Sequence, residues 1–121
     1  MTNKKTLIIG ASTNPDRYSY KAAHALTSKG HDIINYGLKK GEVAGEIIQS
    51  DWDTNWKIDT VTLYVGPKNQ PEYFDQIIAL KPKRVIFNPG TENPIFYSKL
   101  NEAAIHYEEA CTLVLLSIGQ Y

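Results

Sequence analysis

The chain has 121 residues, 42% of them hydrophobic, and thirteen Lys and Arg balance thirteen Asp and Glu. That length fits one domain with an ordinary core, and the even charge supplies no global field toward nucleic acid or a membrane surface. The single cysteine, Cys111, excludes an intramolecular disulfide, no Cys/His cluster has zinc spacing, and the apolar run at residues 7–9 is too short for a signal core. A cytoplasmic protein is expected.

Residues 7–9, between Thr6 and Gly10, read as a short buried strand. Residues 19–29 have helical spacing at Ala22, Ala23 and Leu26, and Gly30 suits the C-terminal end of that helix. A second strand at 31–36 runs into a loop carrying Gly37, Lys39, Lys40, Gly41 and Gly45. A short extended piece at 46–48 and one helical turn at 51–56 follow. Residues 60–65, rich in β-branched side chains, form a third strand that Gly66-Pro67 breaks. Residues 69–80 repeat helically at Tyr73, Phe74, Ile77 and Ile78. A fourth strand at 84–87 closes on Asn88-Pro89-Gly90, a third helix occupies 94–106, and an apolar run at 113–116 makes the fifth strand. The strands look buried on both faces. The order predicts one α/β domain over 1–121, an open, mainly parallel five-stranded sheet with helices on both faces.

In such a sheet a ligand sits outside the carboxyl ends of the strands, where the winding reverses. Each loop expected at that edge contains glycine, and three carry a cation. The loop from Gly10 to Arg17 has the makings of an anion site. Gly10 lets the backbone approach, Ser12, Thr13 and Ser19 offer hydroxyls, Arg17 a guanidinium fork, and a helix starting near Ser19 its free N–H groups. An ordinary turn, with Ser19 as an N-cap and Arg17 solvated, is the competing account. A dinucleotide fingerprint is absent, because positions 10, 12 and 15 read Gly, Ser and Pro. The acid expected after the second strand is also missing, and Lys39 and Lys40 stand there instead. Lysines at that edge suit a phosphorylated ribose. NAD is disfavoured, whereas NADP and coenzyme A both remain.

The segments Ile8-Ile9-Gly10-Ala11-Ser12, Asn14-Pro15-Asp16-Arg17 and Ser19-Tyr20 resemble the opening motif of the small stand-alone CoA-binding proteins. Those proteins have a Rossmann-like domain related to the nucleotide-binding domain of the succinyl-CoA synthetase α subunit. The likeness continues through residues 34–39 with Glu42-Val43-Ala44-Gly45, through 59–67, and through 85–90 with Asn93. It implies a Rossmann-like three-layer fold that binds coenzyme A or an acyl-CoA. Gly10, Ala11, Ser12, Asn14, Arg17, Ser19 and Tyr20 would line the pyrophosphate site, and Lys39 would approach the phosphorylated ribose. Val65, Gly66 and Pro67 would border adenine or ribose, and Asn88, Gly90 and Asn93 the pantetheine exit. The chain departs from the family at Gly37-Leu38-Lys39, which lacks a proline, and near Cys111, which lacks a preceding Asp-Arg.

No catalytic constellation is apparent. Ser12 is outside any G-x-S-x-G elbow, and Cys111 beside an apolar run reads as a small buried hydrophobe. His24, His31 and His106 have no carboxylate at metal spacing. The sequence therefore favours a non-catalytic CoA-binding protein whose partner is a small nucleotide ligand. An NADP-linked oxidoreductase or a subunit of an acyl-CoA ligase is the alternative. Tyr18, Tyr20 and Tyr36 fall near the expected cleft, while Trp52, Trp56 and Tyr97 fit partial exposure on a homodimer surface.

Overall fold

The computed structural model describes residues 2–121. Seven strands form one sheet: β1 (Thr6–Ile9), β2 (Ile33–Tyr36), β3 (Glu42–Val43), β4 (Glu46–Gln49), β5 (Thr60–Leu63), β6 (Arg84–Phe87) and β7 (His106–Glu109). Their spatial order is β3-β4-β2-β1-β5-β6-β7, parallel throughout except for the β3–β4 pair. Four helices accompany them: α1 (Tyr18–Ser28), α2 (Phe74–Leu80), α3 (Pro94–Glu102) and α4 (Thr112–Ser117).

Burial explains the apolar strands. All four residues of β1 and all four of β5 are buried, because helices cover the sheet on both sides. Leu7, Ile9, Val61, Leu63, Val85 and Phe87 point to one face, where Phe74 and Ile77 of α2 and Phe96 and Leu100 of α3 meet them. Ile8 and Ile33 point to the other face, against Ala23 and Leu26 of α1 and Leu116 of α4. Small Ala22 and Ala23 let α1 lie close on the sheet. Phe96 stacks on Phe74 at 4.4 Å and meets Phe87 edge-on at 5.6 Å. Truncating such a ring to alanine costs about 3–5 kcal/mol.

The sheet is wider than the five strands expected. Residues 113–116 belong to helix α4 and not to a strand; a four-residue apolar run has no period that separates the two. The seventh strand is β7, whose His106 was expected to end the third helix. That helix stops at Glu102, and Ala104 at φ +58° turns the chain back to the sheet edge. Side-chain contacts hold β7 there: Tyr107 stacks on Tyr97 at 4.3 Å, the Tyr97 hydroxyl donates to Glu109 at 2.6 Å, and Arg84 pairs with Glu108 at 3.5 Å. Two 3-10 turns, Pro67–Asn69 and Pro71–Tyr73, lead into α2, so the helix expected over 69–80 starts only at Phe74. The prolines favour such starts because they lack a backbone N–H. Residues 51–56 make a bonded turn, with Trp56 N–H on the Asp53 carbonyl, and no helix.

A candidate ligand cleft at the carboxyl edge

Strand order reverses between β1 and β5, since β1 pairs with β2 on one side and β5 on the other. A cleft of about 710 Å³ opens at that reversal, and the loops following β1, β2, β5 and β6 all border it. The strand ends are tied together by backbone. The Tyr36 carbonyl accepts from both Gly10 and Ala11 N–H, at 2.9 and 3.0 Å, and the Ile9 carbonyl accepts from Tyr64 N–H at 2.8 Å. Gly10 has φ +96°, and a Cβ there would fall 2.9 Å from the Tyr64 carbonyl oxygen. A Cβ on Gly37 would fall 2.6 Å from the Ala11 carbonyl oxygen. Glycine at both positions is therefore a packing requirement of the cleft floor.

The loop after β1 is folded by its own side chains. Ser12 Oγ accepts from Asn14 N–H at 3.0 Å, and Asn14 Oδ1 accepts from Asp16 N–H at 3.0 Å. The Asn14 carbonyl accepts from Arg17 N–H at 3.0 Å. These turns deliver the chain into α1 with Arg17, and not Ser19, at the extended cap position. No side chain caps the helix, and its first turn has no acid. The N–H groups of Tyr18, Ser19 and Tyr20 are thus left without intrahelical acceptors at the positive end of the helix dipole. Ser19 is buried, with Tyr18 and Arg17 exposed beside it along the cleft. Lys39 stands on the rim supplied by the β2 loop. Neither Arg17 nor Lys39 joins an ion pair among the described residues. Asp16 and Glu72 are the carboxylates of the same lining.

The far wall consists of Val65 and Gly66 after β5 and of Pro89, Gly90 and Thr91 after β6. A fully buried residue, Gln70, binds these two loops together. Its Nε2 donates to the Val65 carbonyl at 3.0 Å and to the Thr91 carbonyl at 2.7 Å, while its Oε1 accepts from Asn93 Nδ2 at 3.0 Å. Asn93 Oδ1 in turn caps α3 by accepting from Ile95 N–H at 3.1 Å. Asn88 is equally committed. Its Nδ2 donates to Thr62 Oγ1 and the Leu63 carbonyl, at 2.7 and 2.8 Å, and its Oδ1 accepts from Thr112 N–H at 2.9 Å.

Of the residues singled out from sequence, Gly10, Ala11, Ser12, Arg17, Ser19, Lys39, Val65, Gly66 and Gly90 line one cleft. Asn14, Tyr20, Pro67, Asn88 and Asn93 do not. Asn14 shapes the loop, and Tyr20 packs its ring on His24 at 4.7 Å. Asn88 and Asn93 brace the walls from below. Tyr64, Tyr73 and Gln70 are not among the site residues expected from sequence, because a tyrosine in a strand or helical run and a glutamine in a loop give no local sign of facing or bracing a cleft. Burial pushes the Tyr64 hydroxyl up to about 12, and that hydroxyl has no hydrogen-bond partner among the described residues. Burial likewise raises Tyr36 and Tyr73, with Glu72 adding to both. These phenols stay neutral near pH 7.

Tyr36 and Tyr73 belong to an aromatic cluster beside the cleft, with Trp52 at 5.2 and 6.5 Å from them and Trp56 at 5.2 Å from Trp52. No group of three or more His, Cys, Asp and Glu side chains that could hold a metal occurs among the described residues. Nor, among them, is any helix long and apolar enough to cross a membrane.

The chain superposes on a crystal structure of an uncharacterized protein with a TM-score of 0.96 and 49% identity, each chain covered in full. A hypothetical protein from Pyrococcus horikoshii OT3 matches at TM-score 0.84 and 31% identity, over 93% of this chain and 80% of that one. The cell-free ID.343 protein of Thermus thermophilus shares the fold at TM-score 0.87 and 20% identity, over 98% of this chain and 91% of the other. No curated protein matches. The family model described as the CoA binding domain matches residues 4–117, nearly the whole described chain. The protein belongs to the CoA binding domain family, and its α/β sheet is the Rossmann-like fold expected from its sequence.

Proposed function

We propose that the cleft binds coenzyme A or an acyl-CoA by its pyrophosphate and phosphorylated ribose, and that the protein acts as a binding module without catalysis of its own. The observation that carries this reading is the pairing of two unpartnered cations, Arg17 and Lys39, with an uncapped helix N-terminus on one cleft. Free N–H groups and a guanidinium fork suit a pyrophosphate, and a lysine on the β2 rim suits a ribose phosphate. A binding role is favoured over catalysis by the state of the reactive groups. Ser12 Oγ is occupied by Asn14 N–H, and Cys111 has neither a histidine nor a carboxylate hydrogen-bonded to it. His31 sits on another edge of the sheet, accepting from Lys4 N–H through Nδ1 at 2.9 Å.

Calorimetric titration of the purified chain tests the proposal. CoA is expected to bind more tightly than dephospho-CoA and more tightly than NADPH. Arg17→Ala should weaken CoA about 10- to 100-fold, the value of one charge-assisted pair. Absence of CoA binding up to millimolar concentration would sink it, and tighter binding of NADPH would transfer the site to the oxidoreductase reading.

A further inference from the structure

A second cavity, of about 210 Å³, opens beside the cleft. Tyr18, Tyr64 and Pro89 form walls of both, so the two spaces adjoin. The remaining walls are Asn88, Cys111 and Leu113. Little of this lining can hydrogen-bond. The Asn88 amide is spent on Thr62, Leu63 and Thr112, and the Tyr64 hydroxyl is shut away from solvent. What remains are the ring of Tyr64, the exposed Tyr18 with its hydroxyl at the mouth, a proline, a leucine and a thiol, the last a weak donor. No charged side chain contributes.

The position matters as much as the chemistry. Asn88 and Pro89 follow β6, which lies two places from β1 in the sheet. By strand spacing that wall is about 10 Å from β1, while Tyr18, next to Arg17, is the near wall, so the cavity runs from the start of α1 across to the end of β6. A flexible arm leaving phosphates held at α1 would cross β5 and reach this cavity with its far end. Its volume equals that of about seven waters, room for a short chain and not for a long one.

We propose that this side pocket receives the acyl end of a short, uncharged acyl thioester, making short-chain acyl-CoA the preferred ligand over free CoA. The inference rests on the CoA reading of the main cleft. It assigns Leu113 and Cys111 a role in selecting the acyl group.

The test is calorimetry of the full chain with CoA, acetyl-CoA, butyryl-CoA, hexanoyl-CoA, decanoyl-CoA and succinyl-CoA. Affinity should rise from CoA through butyryl-CoA to hexanoyl-CoA by about fourfold for each methylene buried, and decanoyl-CoA, too long for the pocket, should gain nothing more. Succinyl-CoA should gain less than butyryl-CoA, because the lining offers its terminal carboxylate no cation. Leu113→Trp should erase the butyryl advantage while CoA affinity stays within about twofold. Equal affinities across the uncharged series overturn the inference and leave CoA binding intact. A gain for succinyl-CoA equal to that for butyryl-CoA overturns it too. Failure of every ligand, CoA included, removes the underlying reading with it. Should Leu113→Trp not fold, Cys111→Leu fills the same space, and the chain-length series on the unmodified protein decides alone.

Discussion

A methyl group on Gly10 would stand 2.9 Å from the carbonyl oxygen of Tyr64, so β1 and β5 end in a contact that only glycine allows. The positive φ of +96° adds strain for any other residue. Gly10→Ala should lower unfolding free energy by about 2–4 kcal/mol and Tm by about 10 °C, read by urea and thermal unfolding. A stability loss below about 0.5 kcal/mol would show that the two strand ends part easily.

Lys39 is exposed and unpaired among the described residues, so its removal should leave stability within about 0.5 kcal/mol of the parent. Its expected effect is on ligand choice. In Lys39→Ala the preference for CoA over dephospho-CoA should shrink to near unity, with dephospho-CoA affinity almost unchanged. An undiminished preference would move the ribose phosphate elsewhere, to be measured by parallel titrations at one salt concentration.

Gln70 should prove costlier than any rim residue. Replacing it with alanine strands the Val65 and Thr91 carbonyls and Asn93 Nδ2. A loss of about 3 kcal/mol or more is expected from denaturant unfolding, because each buried group forfeits its partner. Gln70→Glu cannot donate to the two carbonyls and should be comparably harmful. A neutral result for either variant would contradict the bridging role.

Tyr64→Phe goes the other way. Its hydroxyl is buried and unpartnered, so deleting it should be neutral or stabilise by up to about 1 kcal/mol. Destabilisation above about 1 kcal/mol would reveal a hydrogen bond to the nearby Thr62 or Thr112 hydroxyls.

His31 makes stability depend on pH. Burial, with Lys4 and Arg84 nearby, holds its imidazole below the usual range, and Nδ1 accepts from Lys4 N–H. The folded protein therefore keeps His31 neutral while the unfolded chain protonates near pH 6.5. Its contribution is complete above that pH and is lost as pH falls through it, until the folded group also takes a proton. His31→Asn offers an acceptor that does not titrate, so its unfolding free energy should fall less between pH 7.5 and 5.5. Identical slopes for the two proteins would exclude His31 as the cause.

Much of this architecture was written in local pattern. Leu7-Ile8-Ile9, Thr60-Val61-Thr62-Leu63 and Val85-Ile86-Phe87 are apolar or β-branched throughout because both faces are covered, and Ala22, Ala23 and Leu26 mark a helix face. The edges were not legible. His106-Tyr107-Glu108-Glu109 is polar, and it becomes a strand through its ladder to β6, with Tyr97 bonded to Glu109 and Arg84 paired with Glu108 across distant segments. Leu113-Val114-Leu115-Leu116 carries strand-like composition, yet it coils beneath α1 to bury Leu116. The cleft followed the same division. Gly10, Arg17 and Lys39 announced themselves as loop glycine and cations, whereas Gln70 and Tyr73 gained their positions from tertiary packing.

The aromatic cluster has a practical consequence. The chain has two tryptophans, Trp52 and Trp56, and both lie in one cluster with Tyr73, whose ring is also a wall of the cleft. Any ligand that tilts Tyr73 changes the surroundings of both indoles together. Filling of the cleft is therefore expected to shift the tryptophan emission, a readout of occupancy that needs no dye.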